Sequence, residues 1–419
     1  MLRLSDGAVL KGEMFHMKHL LSLALAVLLL TGCSSTAPPA ESTPPPSPPP
    51  EDQSVFVPVQ LPEPEPDPRQ ETIDRLMASM TLEEKVGQLF FPRCPEKAAA
   101  KLAAEYHLGG YLLFGRDFKD ATGNWRTADL IKQTIQNYQD TSAIPMLIGV
   151  DEEGGTVTRV SPNPELREKR FDSPQQLYQQ GGLEAILADC REKDELLHEL
   201  GFNVNFAPVA DLSTDPEDYI YKRTLGLGTV ETCEYIAAVV AQMEADRMGS
   251  VLKHFPGYGS NEDTHNGAAL DVRPLDQLRQ ADFLPFQAGI NAASGGTTAV
   301  LVSHNTLQEA DPDRPSSLSP AVYRILREEL GFEGPVLTDE LSMKAITKYA
   351  KEQDTTPAIL ALEAGCDMVV TTNFQTEITQ VLDALKDGSL SQERVDEALA
   401  RVLGWKYDLG LISQETLTS

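Results

Sequence analysis

From about residue 70 to the C-terminus, short apolar runs alternate with longer amphipathic stretches. The runs are nearly continuous, which is typical of parallel strands that are covered on both faces. The predicted strands lie at 86–91, 109–114, 145–151, 203–212, 250–255, 299–305, 334–340 and 367–372. Helical patterns separate them, among them 229–249, a segment from Ser319 to Gly331, and a final helix with its apolar face at Val395, Leu399, Val402 and Leu403.

This alternation predicts an α/β fold, a (β/α)8 TIM barrel that forms a single domain at 70–419. An open doubly wound sheet fits less well, because no Gly-rich dinucleotide fingerprint follows the first strand. Polar residues come directly after several runs: Asp151, Asp211, Lys253 with His254, His304 and Asp339. Because such barrels carry their active sites at the C-terminal ends of the strands, these residues predict one shared site.

The N-terminus has the layout of a secretory signal peptide at 1–33, with an apolar run too short to span a membrane. Residues 30–33, Leu-Thr-Gly-Cys, resemble the bacterial lipoprotein cleavage box, which implies lipid attachment at Cys33 and an extracytoplasmic, membrane-anchored protein. The alternative is a plain signal peptide with an incidental cysteine. Residues 1–16 contain acidic side chains and do not resemble a signal, which suggests a true start at Met14 or Met17.

The segment 34–69 is predicted to be a disordered Pro-rich linker between that signal and the barrel. Thirteen of the 29 prolines lie between Pro38 and Pro68, and such a composition buries too little apolar surface to fold. A net charge of -28 argues against nucleic acid as a partner, because phosphates would be repelled. The remaining cysteines are scattered without metal-type spacing; Cys366, beside an apolar strand, is expected to be a buried thiol.

Two acidic positions invite a chemical interpretation, although each has an ordinary alternative. Asp339 follows a predicted strand and could be a nucleophile, a general base, a metal ligand or simply a helix N-cap. Asp263 and His265 lie in a Gly- and Pro-rich loop, where a carboxylate could orient the imidazole for proton transfer. A solvated surface loop is the alternative for that pair.

Several motifs together resemble the bacterial β-N-acetylglucosaminidases of glycoside hydrolase family 3. "KHFPGYGSNEDTHNG" at 253–267 resembles the family's KHFPGHG…DxH signature, and "GVDEEGGTVTRV" at 149–160 resembles its DxEGGxVxR segment. "VLTDELSM" at 336–343 is similar to its nucleophile strand, and "NFAPVADL" and "AGCDMVVTTN" follow the same order. The resemblance extends from about Ile73 to Leu411 and covers the whole predicted barrel.

The resemblance implies a retaining, exo-acting hydrolase that removes terminal β-linked N-acetylglucosamine from peptidoglycan fragments. Asp339 falls on the catalytic nucleophile, His265 on the general acid/base, and Asp263 on its dyad partner. The positions that bind the sugar are Asp151, Arg159, Arg223, Lys253 and His254. No cofactor and no metal are expected. For Arg159 and Lys253 the alternative is ordinary surface ion pairing.

The sequence departs from the family pattern in the loop after the strand at 250–255. Tyr258 replaces the usual histidine, and the loop leading to Asp263 is one residue shorter. Three other functions remain open. They are a family 3 β-glucosidase, whose acid would come from a second domain not expected after 411, a phosphorylase using the same dyad, and a non-catalytic muropeptide-binding lipoprotein.

Overall fold

A computed structural model describes residues 67–260 and 269–415. The helices are α1 Pro68–Ser79, α2 Leu82–Gln88, α3 Ala99–Glu105, α4 Ala128–Thr141, α5 Pro174–Leu200, α6 Thr229–Ala245, α7 Leu275–Gln280, α8 Phe283–Ala292, α9 Pro320–Arg324, α10 Lys344–Glu352, α11 Pro357–Ala364, α12 Phe374–Asp387 and α13 Gln392–Asp408. The strands are β1 Gly110–Leu113, β2 Leu147–Val150, β3 Val204–Asn205, β4 Gly249–Phe255, β5 Leu270–Asp271, β6 Thr298–Val302, β7 Thr306–Leu307 and β8 Val336–Thr338.

The parallel strands form a closed ring, as the sequence predicts. Six of them hydrogen-bond in the order β1-β2-β3-β4-β6-β8. Two extended segments close the ring through backbone bridges, from Leu337 to Met368, from Val369 to Phe90 and from Arg93 to Leu112. The six strands and two segments make eight positions, with helices on the outside, so the fold is a (β/α)8 barrel.

Several boundaries differ from the sequence-based prediction: β3, for example, covers only Val204–Asn205 of the predicted 203–212. Two differences at the start of the domain have a local cause. Residues 86–88 were predicted as strand but complete α2, because Thr81 and Glu84 form a capping box that starts a helix there. Leu89 ends the helix in a turn, and the strand pairing begins only at Phe90, with Phe91 donating to the Val369 carbonyl at 2.9 Å. Helix α1 begins at Pro68, inside the predicted linker, with the Asp67 side chain capping it and proline at its first position.

The interior of the barrel is filled by aromatic side chains. The rings of Phe91 and Phe206 meet edge to face, with centroids 5.3 Å apart. Gly149 on β2 leaves them room, because a Cβ there would lie 2.7 Å from Phe206 and 2.9 Å from Phe91. The barrel is therefore a packed core and not an open channel.

The described cysteines are free, and Cys366 is fully buried as predicted. Burial raises the pKa of its thiol to about 12, so the sulfur stays protonated at neutral pH. Within the described ranges, no helix combines the length and apolar character that crossing a membrane requires. The predicted signal peptide, Cys33 and almost all of the linker lie outside the described residues.

Candidate active site

A cavity of about 400 Å³ opens at the carboxyl end of the barrel strands. Its floor is apolar, formed by Leu112, Phe206, Leu301 and Val370. The charged side chains around it are Arg93, Asp151, Glu153, Arg159, Arg223, Lys253, Asp339 and Glu340, with His254 beside them. The volume and this combination of an apolar floor with convergent polar groups are typical of a small-molecule site.

The loop after β2 is held in place by a buried carboxylate. Glu152 is fully buried, and its side chain accepts the backbone N–H groups of Arg159 at 2.6 Å and Val160 at 2.7 Å. Gly154, with φ of 101°, makes the turn that returns the chain toward β2. This anchoring places both Asp151 and Arg159 at the cavity.

Four side chains form an ion cluster on one side of the cavity. The Lys253 ammonium lies 2.7 Å from Asp151 Oδ1 and 2.6 Å from Glu153 Oε1. Arg223 makes a two-point contact with Glu153, with nitrogen-to-oxygen distances of 2.9 and 2.7 Å. Lys253 is only 2% exposed, so its pairing is not the ordinary surface ion pairing considered from the sequence. Glu153 thus connects the two cations.

The charge state of this cluster follows from its pairing. Burial alone would raise the pKa of Glu153, but the positive charges of Arg223 and Lys253 outweigh burial and lower it well below its usual range. Burial likewise opposes the charge on Arg223, and Glu153 outweighs it, raising the pKa of the guanidinium. Both groups are charged at neutral pH. The cavity therefore presents fixed donors and acceptors that could hold the hydroxyl groups of a sugar.

His254 is oriented by Asp211, which is fully buried. Asp211 Oδ2 accepts from the His254 backbone N–H at 3.0 Å and lies 2.7 Å from ring Nδ1. The other ring nitrogen, Nε2, lies 3.1 Å from Arg223 Nη2, which can only donate. These contacts assign the neutral imidazole with its proton on Nδ1. The peptide bond between Lys253 and His254 is cis.

Tyr258, which departs from the family pattern, packs against His254. Its ring meets the imidazole edge to face at 5.4 Å, and its backbone N–H donates to Asp211 Oδ1 at 2.7 Å. The substitution therefore contributes an aromatic contact behind a cavity residue.

Asp339 lies at the carboxyl end of β8, half-buried, and lines the cavity. Its backbone N–H donates to the Val302 carbonyl at 2.9 Å, which fixes it to β6. Its Oδ1 accepts the Glu340 N–H at 2.8 Å. The Glu340 side chain in turn accepts the backbone N–H of Thr372 at 2.9 Å. Hydrogen bonds from two neighbouring segments therefore hold the chain around Asp339.

His304 does not line the cavity, although the sequence favoured that position for it. The imidazole is buried, with Nδ1 2.7 Å from Ser317 Oγ and Nε2 3.0 Å from the Glu340 carbonyl oxygen. A carbonyl requires a donor, so the Nε2 proton points to Glu340. His304 thus supports the backbone that follows Asp339.

On the cavity wall formed by the extended segment at 90–93 and by β1, two arginines contact the same aromatic ring. The guanidinium carbon of Arg93 lies 4.3 Å from the Phe114 ring centroid, and that of Arg159 lies 5.7 Å from it. Arg93 was not among the site residues predicted from the sequence. The sequence signal was weaker, because Pro92 separates Arg93 from the apolar run at 86–91, whereas Asp151 and Asp339 follow their runs directly.

The structure brings Asp339, Asp151, Arg159, Arg223, Lys253 and His254 to one cavity. Their roles in binding and catalysis stay predictions. The predicted dyad, Asp263 and His265, lies outside the described residues, in the segment between 260 and 269. Glu153 is a site residue that was not predicted from the sequence, although it stands inside the DEEGG motif at 151–155. In residues 67–260 and 269–415, no group of three or more His, Cys, Asp or Glu side chains is arranged to hold a metal ion.

A barrel that gathers a carboxylate and fixed polar groups around one cavity at its strand ends is typical of an enzyme. Comparison with known proteins shows which kind. The model of the glycosyl hydrolase family 3 N-terminal domain matches residues 81–404. The chain therefore belongs to glycosyl hydrolase family 3 and is a glycoside hydrolase.

Individual relatives support the same family. The chain is 30% identical over 397 residues to the beta-hexosaminidase LpqI of Mycobacterium tuberculosis, covering 92% of this chain and 96% of that protein. A solved structure of M. tuberculosis LpqI superposes with a TM-score of 0.69 at 27% identity, covering 79% of this chain and 95% of the other. A family 3 beta-N-acetylglucosaminidase from Paenibacillus sp. FPU-7 superposes with a TM-score of 0.71 at 26% identity, covering 81% and 67%.

Proposed function

We propose that the protein is an exo-acting, retaining β-N-acetylglucosaminidase that removes terminal N-acetylglucosamine from peptidoglycan fragments. The observation that carries this proposal is the placement of Asp339 in the same cavity as the ion cluster of Asp151, Glu153, Lys253 and Arg223. The relatives are named beta-hexosaminidase and beta-N-acetylglucosaminidase, which indicates an N-acetylated amino sugar as the substrate class. A cavity of about 400 Å³ suits a single sugar residue at the chain end.

In this mechanism the ion cluster binds the sugar, and the carboxylate of Asp339 reacts with it. Lys253 and Arg223 donate to sugar oxygens, Asp151 accepts from hydroxyl groups, and the apolar floor covers the carbon face of the ring. Because these charges are already paired and oriented, they need little reorganisation as positive charge develops at the anomeric carbon. Bonds to the sugar that tighten in the transition state would contribute to the rate.

The chemistry takes two displacements. An Asp339 oxygen forms a bond to the anomeric carbon while the glycosidic bond breaks, and His265, oriented by Asp263, gives its proton to the departing oxygen. Water then attacks the anomeric carbon, loses a proton to His265 and displaces the Asp339 carboxylate. Two inversions retain the configuration.

The test of the nucleophile is Asp339→Asn, which should leave less than about one thousandth of the rate with an aryl N-acetyl-β-glucosaminide. A fluorinated N-acetylglucosaminyl fluoride should label Asp339 in the wild-type enzyme, as read by peptide mass spectrometry. Asp383→Asn, a change at an exposed acid on α12, is the matched control and should keep the wild-type rate. A label on another residue, or an active Asp339→Asn enzyme, would refute the assignment.

The test of the acid/base is His265→Ala with two aryl leaving groups. Loss of a general acid costs about 10²–10⁴-fold, and least where the leaving group departs without protonation. Equal losses with both leaving groups would contradict the role. The same assays with added phosphate, scored for a sugar 1-phosphate, and with an aryl glucoside distinguish hydrolysis from phosphorolysis and set the sugar preference.

We also propose that the mature protein is lipid-anchored outside the cytoplasm through Cys33. The support is the Leu-Thr-Gly-Cys pattern after a short apolar run. Cys33→Ser should abolish incorporation of a labelled fatty acid and move the protein from the membrane to the soluble fraction. Retention in the membrane fraction without label would refute the anchor.

A further inference from the structure

Behind the ion cluster of the cavity lies a second buried ion pair, on the long helix α5. The Lys193 ammonium lies 3.0 Å from Asp189 Oδ2, one helical turn earlier, and both residues are only 8% exposed. Burial opposes the charge on Lys193, but Asp189 outweighs burial and raises the pKa of the ammonium. Lys193 is therefore charged at neutral pH, although it is buried in the protein.

Lys193 contacts the loop that follows β2 at two points. Its ammonium nitrogen lies 3.4 Å from the carbonyl oxygen of Glu153 and 5.1 Å from the ring centroid of Phe171. These two residues belong to opposite arms of the loop, which are joined by a hydrogen bond from the Gly155 N–H to the Phe171 carbonyl at 2.9 Å. The lysine thus lies where the two arms meet, behind the residue that connects the two cations of the ion cluster.

A cavity of about 30 Å³ separates the ion cluster from α5 and has room for about one water molecule. Glu153 and Arg223 line it on the side of the active site, and Asp189, Lys193 and Asp194 line it on the side of the helix. The contact of Lys193 with the Glu153 carbonyl crosses from one side to the other. On this side, Glu153 is therefore held by a polar contact and not by continuous close packing.

Stability alone does not explain the pair of Asp189 and Lys193. Taking two charges out of water costs about as much as their attraction returns, so apolar side chains can often replace a buried ion pair without loss of stability. A role at the site is different, because a shift of about 1 Å in a group that positions the substrate can cost up to about 10²-fold in rate. Any displacement of the Glu153 main chain also moves the carboxylate that Lys253 and Arg223 contact.

We propose that Lys193 is a positioning residue: by holding the main chain of Glu153, it sets the spacing of Lys253 and Arg223 and so the affinity of the cavity for the terminal sugar. Lys193 is not among the described residues that line that cavity, so it acts through Glu153 and not by touching the substrate. The inference rests on the proposed function, in which the ion cluster binds N-acetylglucosamine.

The test replaces the pair as a unit, Asp189→Leu with Lys193→Met, because removing the lysine alone would leave a buried carboxylate without its counter-charge. The neighbouring Asp194 adds little charge at pH 7, because burial raises its pKa to about 8. We expect the inhibition constant of N-acetylglucosamine and the KM of its aryl glycoside each to rise about 10-fold. The Tm should stay at or above the wild-type value, since the apolar pair packs in place of the ion pair.

A double-mutant cycle tests whether the effect passes through Glu153. In a Glu153→Gln background the contacts with Lys253 and Arg223 are already weakened, so replacing the pair there should change the inhibition constant by less than about 2-fold. A further loss of about 10-fold in that background would show that Lys193 acts by another route, and it would overturn the inference.

The control is an exposed pair with the same spacing on α3, replaced as Lys101→Met with Glu105→Leu. It should keep the wild-type inhibition constant and Tm. If the Asp189→Leu, Lys193→Met enzyme keeps its inhibition constant, with or without a lower Tm, the pair only supports the fold and the inference is wrong, while hydrolysis stands. If the wild type neither binds N-acetylglucosamine nor cleaves its aryl glycoside, the proposed function itself fails, and the inference falls with it.

Discussion

His254 depends on a single buried carboxylate for its position and its proton. Asp211 accepts three N–H groups: the ring and backbone of His254, and the backbone of Tyr258. It thereby fixes which imidazole nitrogen faces Arg223 and the cavity. At the residue scale, the site is organised by acids that do not touch the cavity themselves, as Glu152 does for the loop that carries Arg159.

Asp211→Asn tests this arrangement. An asparagine keeps the shape but offers one acceptor oxygen, so one of the three N–H groups would face a donor instead. We expect KM for the aryl substrate to rise several-fold and the free energy of unfolding to fall by about 1–3 kcal/mol. Steady-state kinetics and urea unfolding measure the two effects. Glu217→Gln, at an exposed acid in the following loop, is the control, and equal behaviour of the two variants would contradict the positioning role.

At the scale of elements, one buried acid connects the amino-terminal end of the barrel strands to two outer helical segments. Asp367 precedes the last extended segment and is fully buried. Three arginines converge on it: Arg327 at 2.5 Å, Arg394 at 2.6 Å and Arg401 at 3.2 Å. Arg327 lies in the helical turn after α9, and the other two lie on α13. The side chain also accepts the Val336 N–H at 3.0 Å and so holds the start of β8.

Asp367→Asn should therefore destabilise the domain strongly. The change removes the acid to which Arg327 and Arg401 pair and leaves Arg394 with its ion pair to Glu397, and breaking such a buried cluster costs about 3–5 kcal/mol. Urea unfolding followed by circular dichroism measures this loss. Glu397→Gln removes an acid that contacts the same Arg394 at 2.7 Å but is half exposed, and it should cost less than about 1 kcal/mol. Similar losses for both variants would show that burial does not set the energy of the cluster.

At the scale of the whole molecule, one buried lysine should make the free energy of unfolding depend on pH. Lys406 on α13 is fully buried, and its ammonium nitrogen lies 2.6 Å from Gln88 Oε1 on α2. Burial lowers its pKa to about 7. In the unfolded chain the same amine keeps its proton up to about pH 10.4. Between those two pH values the unfolded state binds more protons, so the free energy of unfolding rises with pH.

Lys406→Met removes this dependence. The difference in free energy of unfolding, wild type minus variant, should increase from pH 7 to pH 10 by up to about 1.4 kcal/mol per pH unit. Below pH 7 the difference should be constant, because both states are then protonated. Lys348→Met, at an exposed lysine on α10, provides the control and should give parallel curves across the range. Parallel curves for Lys406→Met as well would mean that the buried amine stays charged.

How much of the fold the sequence predicts depends on how local the signal is. Continuous apolar runs marked the barrel positions, because a strand covered on both faces needs apolar side chains in succession. The first run was misassigned at 86–88, where the capping box of Thr81 and Glu84 favoured a helix over the apolar pattern. Asp339 and Lys253 were found because each follows apolar strand residues directly, whereas Arg93 was missed because Pro92 separates it from the run at 86–91.

By itself, the sequence determined the order of strands and helices, the motifs at the strand ends and the family to which the chain belongs, since these depend on neighbouring residues. Only the tertiary structure decided which charges meet. Glu153 contacts Lys253 and Arg223, Asp211 contacts His254, and Arg93 shares Phe114 with Arg159. These partners are far apart in the chain and come together through barrel closure and loop paths. Pairing across such distances depends on geometry that no local pattern encodes.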